Sequence, residues 1–436
     1  MILEFKITNF RSIKDEVGLS LIAESGQSKP DNVFEMTFPN DSSLRLLRSA
    51  VIYGSNGSGK TNIVRAIFAL TKLITTSSDL KIDQPIPFYD PFLFDTETQT
   101  SPTKFEILFA IKDSENFIKY RYKVMYTKNE ILNEELDYYP KGQGHNLFKR
   151  EIGENSLSHK GILGKSLGYK EYEIFKNQLF LSKFGKDIPN DLLSNVYLYF
   201  TRLEIWNVAD SVTVDILKKK ISKEILNPEN ENLTKKINKL LKIADIKIEG
   251  VRAKEITDAE FRLPKDFPEE LKKSLMEQNR IRLETEHIVY SKEEKKGIAF
   301  LAFEQESAGT KVLFALGGAI LKILETGGTI FFDELDNSLH PKLCKFLVRL
   351  FNNPVTNKKN AQLIFTTHEV TLLDKGIFRK DQIWITDKDK FGNTDLYSIK
   401  ENSSVRDDMP FDKWYMNGKF GGQPKIKEIE FIFGDE

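Results

Sequence analysis

The chain has 436 residues, 40% hydrophobic and 29% charged, enough to bury a large core spread over two or three domains. Lys+Arg and Asp+Glu both number 64, which excludes a global charge drawing the chain to nucleic acid or a membrane surface, so any nucleic-acid surface has to be a local patch. The single cysteine, Cys344, excludes an internal disulfide framework and a CxxC metal clip and fits a reducing cytosol, while charges within residues 1–6 and the lack of any 18-residue apolar run argue against a signal peptide or a membrane span.

Leu3, Phe5 and Ile7 alternate with Glu4 and Lys6, which predicts a strand. Residues 49–53 read as a short buried strand running into a glycine-rich loop. Ile63, Ile67, Leu70 and Ile74 then recur at helical spacing. Residues 105–150 predict an antiparallel meander, since 105–109 and 117–126 are aromatic and β-branched around a Lys-Asp-Ser-Glu-Asn turn. From about 180 to 295 the chain is Lys/Glu-rich and predicts a mostly helical lobe inserted into the rest. Leu233, Ile237, Leu240 and Leu241 form one stripe there, with Lys235, Lys236, Lys239 and Lys242 elsewhere. Apolar runs at 329–332 and 362–366, with helices between them, predict the βαβ pattern of a mainly parallel sheet. The last 35 residues are Gly- and charge-rich and predict a tail packed on the surface. The expected divisions are an N-terminal lobe 1–180, a helical insertion 181–296, a C-terminal lobe 297–400 and a tail 401–436.

Gly54-Ser55-Asn56-Gly57-Ser58-Gly59-Lys60-Thr61 matches G-x-x-x-x-G-K-S/T between a predicted strand and a predicted helix. In that setting glycines let backbone N–H groups turn inward around phosphates, and the helix start adds its positive dipole end. Lys60 would reach the β- and γ-phosphates of ATP, and Thr61 would ligate Mg²⁺. The run Thr329-Ile330-Phe331-Phe332-Asp333-Glu334 is an apolar strand ending in two carboxylates. Asp333 can hold Mg²⁺ and Glu334 can polarise the attacking water. Lys60 and Glu334 lie 334 − 60 = 274 positions apart, which implies a large insertion splitting the nucleotide fold.

Ser307-Ala308-Gly309-Thr310-Lys311 opens a Leu/Ala-rich helix, and a small polar cluster at a helix start is either an anion site or a plain Ser cap. As an anion site it would serve ATP held by a second subunit. Asp336-Asn337-Ser338-Leu339-His340-Pro341 follows the acidic strand, with His340 shaping the turn before Pro341. His368 ends the strand 362–366 and can contact a γ-phosphate or serve as a structural histidine.

This order of motifs resembles that of ABC ATPases, and Ile7-Thr8-Asn9-Phe10-Arg11-Ser12 resembles the start of the SMC/RecF-like branch. A closer resemblance is to AAA-type ATP-binding proteins of the RloA/AbiL kind and to the AriA ATPase of the PARIS system. It is carried by residues 306–311, 333–341, 362–368, 381–384 and the tail 413–421. The resemblance implies an α/β ABC-type P-loop head with an antiparallel β subdomain and a helical insertion. It implies a homodimer or higher homo-oligomer with ATP and Mg²⁺ at the seam. Ser307 and Gly309 would contact the γ-phosphate across the dimer, Asp336 and Ser338 would link the two sites, His368 would sense the γ-phosphate, and Arg11 and Asn62 would approach the nucleotide. The Q-loop glutamine stays open between Gln84 and Gln99. Such proteins work beside a separate effector, often a nuclease, in bacterial anti-phage loci; the rival reading is a RecF/SMC-like DNA-clamping repair ATPase. Only 436 − 368 = 68 residues follow His368, too few for the Toprim nuclease of OLD-type relatives. Asp387-Lys388-Asp389 reads as a hairpin turn, the lysines of 218–220 and 235–242 as solvated helix faces, Cys344 as structural, and Trp414 and Tyr415 as either a clamp on their own domain or a partner contact.

Overall fold

The structure is a computed structural model that describes residues 1–39, 43–113, 116–151, 174–187, 191–244, 247–257, 268, 270 and 280–424. The chain forms two compact units: Met1–Ile205, Gly327–Glu334 and Val348–Glu436 make the first, and Trp206–Thr326 and Leu335–Leu347 the second.

In the first unit, β5 (Ser49–Gly54), β14 (Thr329–Asp333) and β15 (Gln362–Thr366) are buried along their whole length. Runs of Val, Ile and Phe without alternation are what a strand covered on both faces needs. They pair in parallel, β14 on β15 and β15 on β5, and β16 (Ile383–Lys388) joins the other side of β5. Strand β17 (Thr394–Ser398) returns antiparallel on β16, and β10 (Glu204–Asn207) lies at the far edge of the order β10-β14-β15-β5-β16-β17. Because β5, β14 and β15 run the same way, Gly54, Asp333 and Thr366 finish at one edge of the sheet. The carboxyl edge of such a sheet is where ligands bind.

The expected meander is a second, antiparallel sheet, ordered β2 (Val17–Ser20), β1 (Ile2–Thr8), β6 (Thr103–Asp113), β7 (Asn116–Tyr126), β8 (Ile131–Tyr139), β9 (His145–Glu151). A short β3–β4 hairpin (Val33–Met36, Leu44–Leu47) stands beside it. Helix α1 (Lys60–Thr76) shares one core with both large sheets. Ile63, Ile67 and Leu70 pack in the same cluster as Ile52 and Phe331 of the parallel sheet and Phe105 and Tyr122 of the antiparallel one. Gln362 stitches the two sheets: its side chain accepts the Ile2 N–H at 2.8 Å and donates to the Ile2 carbonyl at 3.0 Å. Glu134 is buried in β8 and accepts from the Phe180 and Leu181 N–H groups and the Tyr122 hydroxyl, so it anchors the start of α2 (Phe180–Asp187).

The second unit holds α4 (Ser211–Leu226), α5 (Glu231–Ile243), α6 (Ala308–Thr326) and a three-stranded antiparallel sheet of β11 (Gly250–Glu255), β12 (Ile281–Ser291) and β13 (Glu294–Ala302). Leu233, Ile237, Leu240 and Leu241 are all buried, as their spacing required. The lysine faces are paired and solvated: Lys218 on Asp215, Lys235 on Glu231, Lys236 on Glu325 and Lys242 on Glu249.

Two expectations need correction. Residues 180–295 are mainly helical over 180–243, but the described residues beyond them also carry the strands β11–β13, which the helical reading did not include. The units also fall differently from the divisions drawn at 181, 297 and 401. Helices α2 and α3 (Asp191–Thr201) bury Phe180, Phe184, Val196 and Phe200 in the first unit's core. Helix α6 packs with α4 and α5, so the Ser307 motif travels with the second unit. The tail is partly internal, since Phe411, Tyr415 and Phe420 are buried; residues 425–436 lie outside the described residues.

Candidate functional site

Strand β5 ends at Gly54, the loop turns through residues 55–59, and α1 begins at Lys60. Gly59 sits at φ 110°, and a Cβ there would overlap the Thr394 side chain, so only glycine closes this turn. Residues of the β16–β17 hairpin brace the loop from behind. Thr394 Oγ1 donates to the Ser58 carbonyl at 2.8 Å, and the Ser58 and Thr386 hydroxyls meet at 2.6 Å. Asn56 and Gly57 remain exposed, leaving the outer arch of the loop open to an anion. Lys60 is buried. Its Nζ donates to the Gly54 and Ser55 carbonyls at 2.8 and 3.1 Å and lies 3.4 Å from His368 Nδ1.

The acidic strand delivers Asp333 to the next position along the sheet edge. Asp333 is 2% exposed, and one carboxylate oxygen accepts from Thr366 Oγ1 at 2.6 Å and Thr61 Oγ1 at 3.3 Å. Two cis ligands of an octahedral ion with bonds near ~2.1 Å lie about 3 Å apart, so Thr61 and Asp333 fit adjacent positions around Mg²⁺. The ion would complete its shell with phosphate oxygens and water. The Thr366 hydroxyl also accepts the Glu334 N–H at 2.8 Å. One threonine therefore orients the metal carboxylate and fixes the backbone of the catalytic candidate. Glu334 itself has φ 57°, the left-handed region, which costs a non-glycine residue on the order of 1 kcal/mol or more.

Around the loop, Asn62 Nδ2 donates to Ser12 Oγ at 2.6 Å, and Thr394 Oγ1 reaches the same hydroxyl at 2.8 Å. This joins the N-terminal arm to the start of α1. Arg11 directs its guanidinium to Asp90 at 2.8 Å, and its φ of 55° is held by a backbone hydrogen bond to the Asp90 carbonyl. Gln84 and Gln99 bond within their own loop, to the Lys81 N–H and the Leu93 carbonyl.

The second unit gathers the other candidates. Ser307 is exposed and caps α6: its Oγ accepts the Thr310 N–H at 3.1 Å and sits 2.8 Å from Thr310 Oγ1. A cap and an exposed anion-facing tip are compatible roles. A Cβ on Gly309 would come 3.1 Å from the Ser338 carbonyl, so the 336–340 turn lies against the tip. Ser338 is left-handed at φ 62°, and among the described residues one buried carboxylate oxygen of Asp336 meets no hydrogen-bond partner. Behind the tip, Glu306 accepts from His287 and Thr285 at 2.8 and 2.6 Å. His340 accepts the Lys342 N–H, as a turn-shaping residue does, and Cys344 is fully buried.

The structure thus gathers Lys60, Thr61, Asp333, Glu334 and His368 in the first unit, and Ser307, Gly309, Asp336 and Ser338 in the second. Sequence reading passed over Thr366, Thr386, Thr394 and Ser12, whose hydroxyls position the loop and the acidic strand. The only signal for Thr366 was its place at a strand end beside His368. Asp387-Lys388-Asp389 is a hairpin turn, with Asp389 accepting the Phe391 and Asn393 N–H groups. Among the described residues no helix is long and apolar enough to cross a membrane.

No curated protein matches the sequence. Among solved structures, one similar chain is the SMC head domain from Thermotoga maritima, at 14% identity and TM-score 0.40, covering 91% of this chain and 98% of that one. Another is the SmcHead bound to the C-winged helix domain of ScpA, at 14% identity and TM-score 0.40, covering 93% and 99%. The family described as "AAA domain, putative AbiEii toxin, Type IV TA system" matches residues 49–374, well over half of the chain, including the phosphate loop, the acidic strand and His368. The chain belongs to that AAA domain family and carries a mixed α/β P-loop ATPase fold.

Proposed function

We propose that this protein binds Mg-ATP and hydrolyses it at a head-to-tail interface between two copies of itself, as the sensor ATPase of a bacterial anti-phage system that controls a separate effector. It resembles in this the RloA, AbiL and AriA group. The observation that carries the catalytic part is the Thr61–Asp333–Thr366–Glu334 cluster at the end of the parallel sheet, beside Lys60 and His368.

Mg²⁺, held by Thr61 and Asp333, would neutralise phosphate charge and orient the terminal phosphoryl group. Lys60 gives a fixed cation on the β- and γ-phosphates. The Glu334 carboxylate accepts a proton from the attacking water, and its left-handed backbone sets the direction in which it points. His368, beside Lys60, lies where it can donate to a γ-phosphate oxygen.

Support for a composite site comes from the second unit. Ser307 is exposed at the tip of α6, with the 336–340 turn beside it, so the tip is open to a nucleotide held by a second protomer. Support for the defence role comes from the family's own description as a putative toxin of a toxin–antitoxin system.

Size-exclusion chromatography of Glu334→Gln with Mg-ATP tests the reading. ATP held without hydrolysis should move the protein to a dimer or larger species, and ADP should not. A Glu334→Gln variant that binds ATP and elutes as a monomer throughout would overturn the dimeric site.

A further inference from the structure

A cavity of about 520 Å³ opens on the phosphate loop, and four of its nine lining residues come from the C-terminal segment. One side is Gly54, Ser55, Asn56 and His368; the other is Tyr415, Met416, Gln423 and Pro424. Gly54, Ser55 and His368 are the residues around Lys60 Nζ, the group that meets the β- and γ-phosphates. The cavity is therefore the terminal-phosphate end of the site.

The opposite wall is a strap built from α7 (Phe411–Met416) and the turn that follows it. Tyr415 is buried, its ring 5.7 Å from that of Tyr53 at the end of β5, and its hydroxyl donates to the Gly422 carbonyl at 3.0 Å. Burial, helped by the nearby Asp387 carboxylate, pushes that hydroxyl up to about 12, so it stays a donor at neutral pH. Asp387 accepts the Gly422 N–H, and Tyr397 donates to the Phe420 carbonyl at 2.8 Å. Gly422 lies so close to the phosphate loop that a Cβ on it would come 2.6 Å from Ile385 Cγ2 and 3.4 Å from Gly54 Cα. Glycine at 422, with φ 65° and no room for a Cβ against Ile385, lets the strap lie in van der Waals contact with the first residue of the loop.

Resting on the ATPase reading, we infer that this strap is the terminal-phosphate sensor of the site: Met416 and Gln423 face the γ-phosphate, and the strap tells triphosphate from diphosphate. Met416 is 61% exposed where it lines the cavity, an apolar side chain held at a polar mouth. Gln423 offers both a donor and an acceptor to a phosphate oxygen or its water. Trp414, tilted against Phe420 at 5.9 Å with Lys419 over its ring, is carried on the same segment and reports on it.

The test is equilibrium binding of Mg-ATP and Mg-ADP to the full chain and to Gln423→Glu and Met416→Asp. Each variant places a carboxylate opposite the terminal phosphate. ATP affinity should fall about tenfold and ADP affinity less than about twofold, since like charges this close repel by roughly that factor. Met416→Leu and Gln423→Asn should keep the wild-type ratio. Trp414 emission should change more with ATP than with ADP, and Trp414→Phe should remove that change. If both charge variants bind ATP and ADP as the wild type does, or lose both equally, the strap is not a sensor. If the wild type binds neither nucleotide, or Lys60→Ala binds as well as the wild type, the ATPase reading fails and the inference fails with it.

Discussion

The phosphate loop and the Ser307 tip are proposed halves of one site, yet they are made in different ways. The loop is buttressed on every inner side. Thr394 holds its backbone at Ser58, Thr386 bonds the Ser58 hydroxyl, Ser12 ties Thr394 to Asn62, Gly422 touches its first residue, and Lys60 is buried among its carbonyls. The tip has an exposed serine that bonds only its own helix among the described residues, beside the 336–340 turn. A preorganised cradle costs little to reorganise when charge develops on a phosphate. A bare tip does nothing alone, and the contrast is what a site completed by a second copy needs.

If that contrast is real, damage to the first half should abolish chemistry or binding, and damage to the second should spare binding by a single copy. The largest effect belongs to Glu334→Gln, which should lower kcat by about 10²–10⁴-fold, the range of a lost general base. Its ATP affinity, read by a fluorescent nucleotide, should hold. Lys60→Ala should weaken ATP binding by about 100-fold, or ~2.7 kcal/mol. Calorimetric titration would register this, and an unchanged Kd would remove Lys60 from the site.

Thr366→Val separates support from catalysis. It deletes the hydroxyl that orients Asp333 and fixes the Glu334 N–H. Loss of such a supporting hydrogen bond should cost about 10–100-fold in kcat/KM or Mg²⁺ affinity, while Thr366→Ser retains most of the activity. Equal kinetics for the valine and serine variants would show that the hydroxyl only stabilises the fold. The smallest change is Ser307→Ala. It should cost about 1 kcal/mol of stability through the lost cap, read by denaturant unfolding, with the ATP Kd of an isolated protomer unchanged.

What was legible in the sequence was local. The strand–loop–helix around Lys60 and the apolar run into Asp333 and Glu334 each declare themselves within ten residues, and the 274-position gap between Lys60 and Glu334 foretold the insertion between them. What was illegible depends on strand order. Thr366, Thr386 and Thr394 look like ordinary strand threonines until the order β14-β15-β5-β16-β17 lines them up beside the loop. The left-handed backbone at Glu334 and Ser338 has no composition signature, since neither residue is a glycine. The strands β11–β13 were not legible within the Lys/Glu-rich region expected to be mostly helical, where β12 and β13 leave Val289, Tyr290, Ile298 and Phe300 exposed and so lack a clean apolar–polar alternation. The tail reads from sequence as packed on the surface, with Tyr415 as either a clamp or a partner contact; the structure packs Tyr415 on Tyr53 of β5 and brings Gly422 into contact with Gly54.

Mixing two inactive variants tests the composite site most directly. Lys60→Ala keeps a sound Ser307 tip, and Ser307→Arg keeps a sound phosphate loop. In a head-to-tail dimer the mixed pair has one intact site of two, and random pairing makes half of the dimers mixed, so an equimolar mixture should recover about a quarter of the wild-type ATPase rate while each variant alone stays inactive. A mixture as inactive as its parts, or full activity from Ser307→Arg alone, would contradict a site shared between two copies.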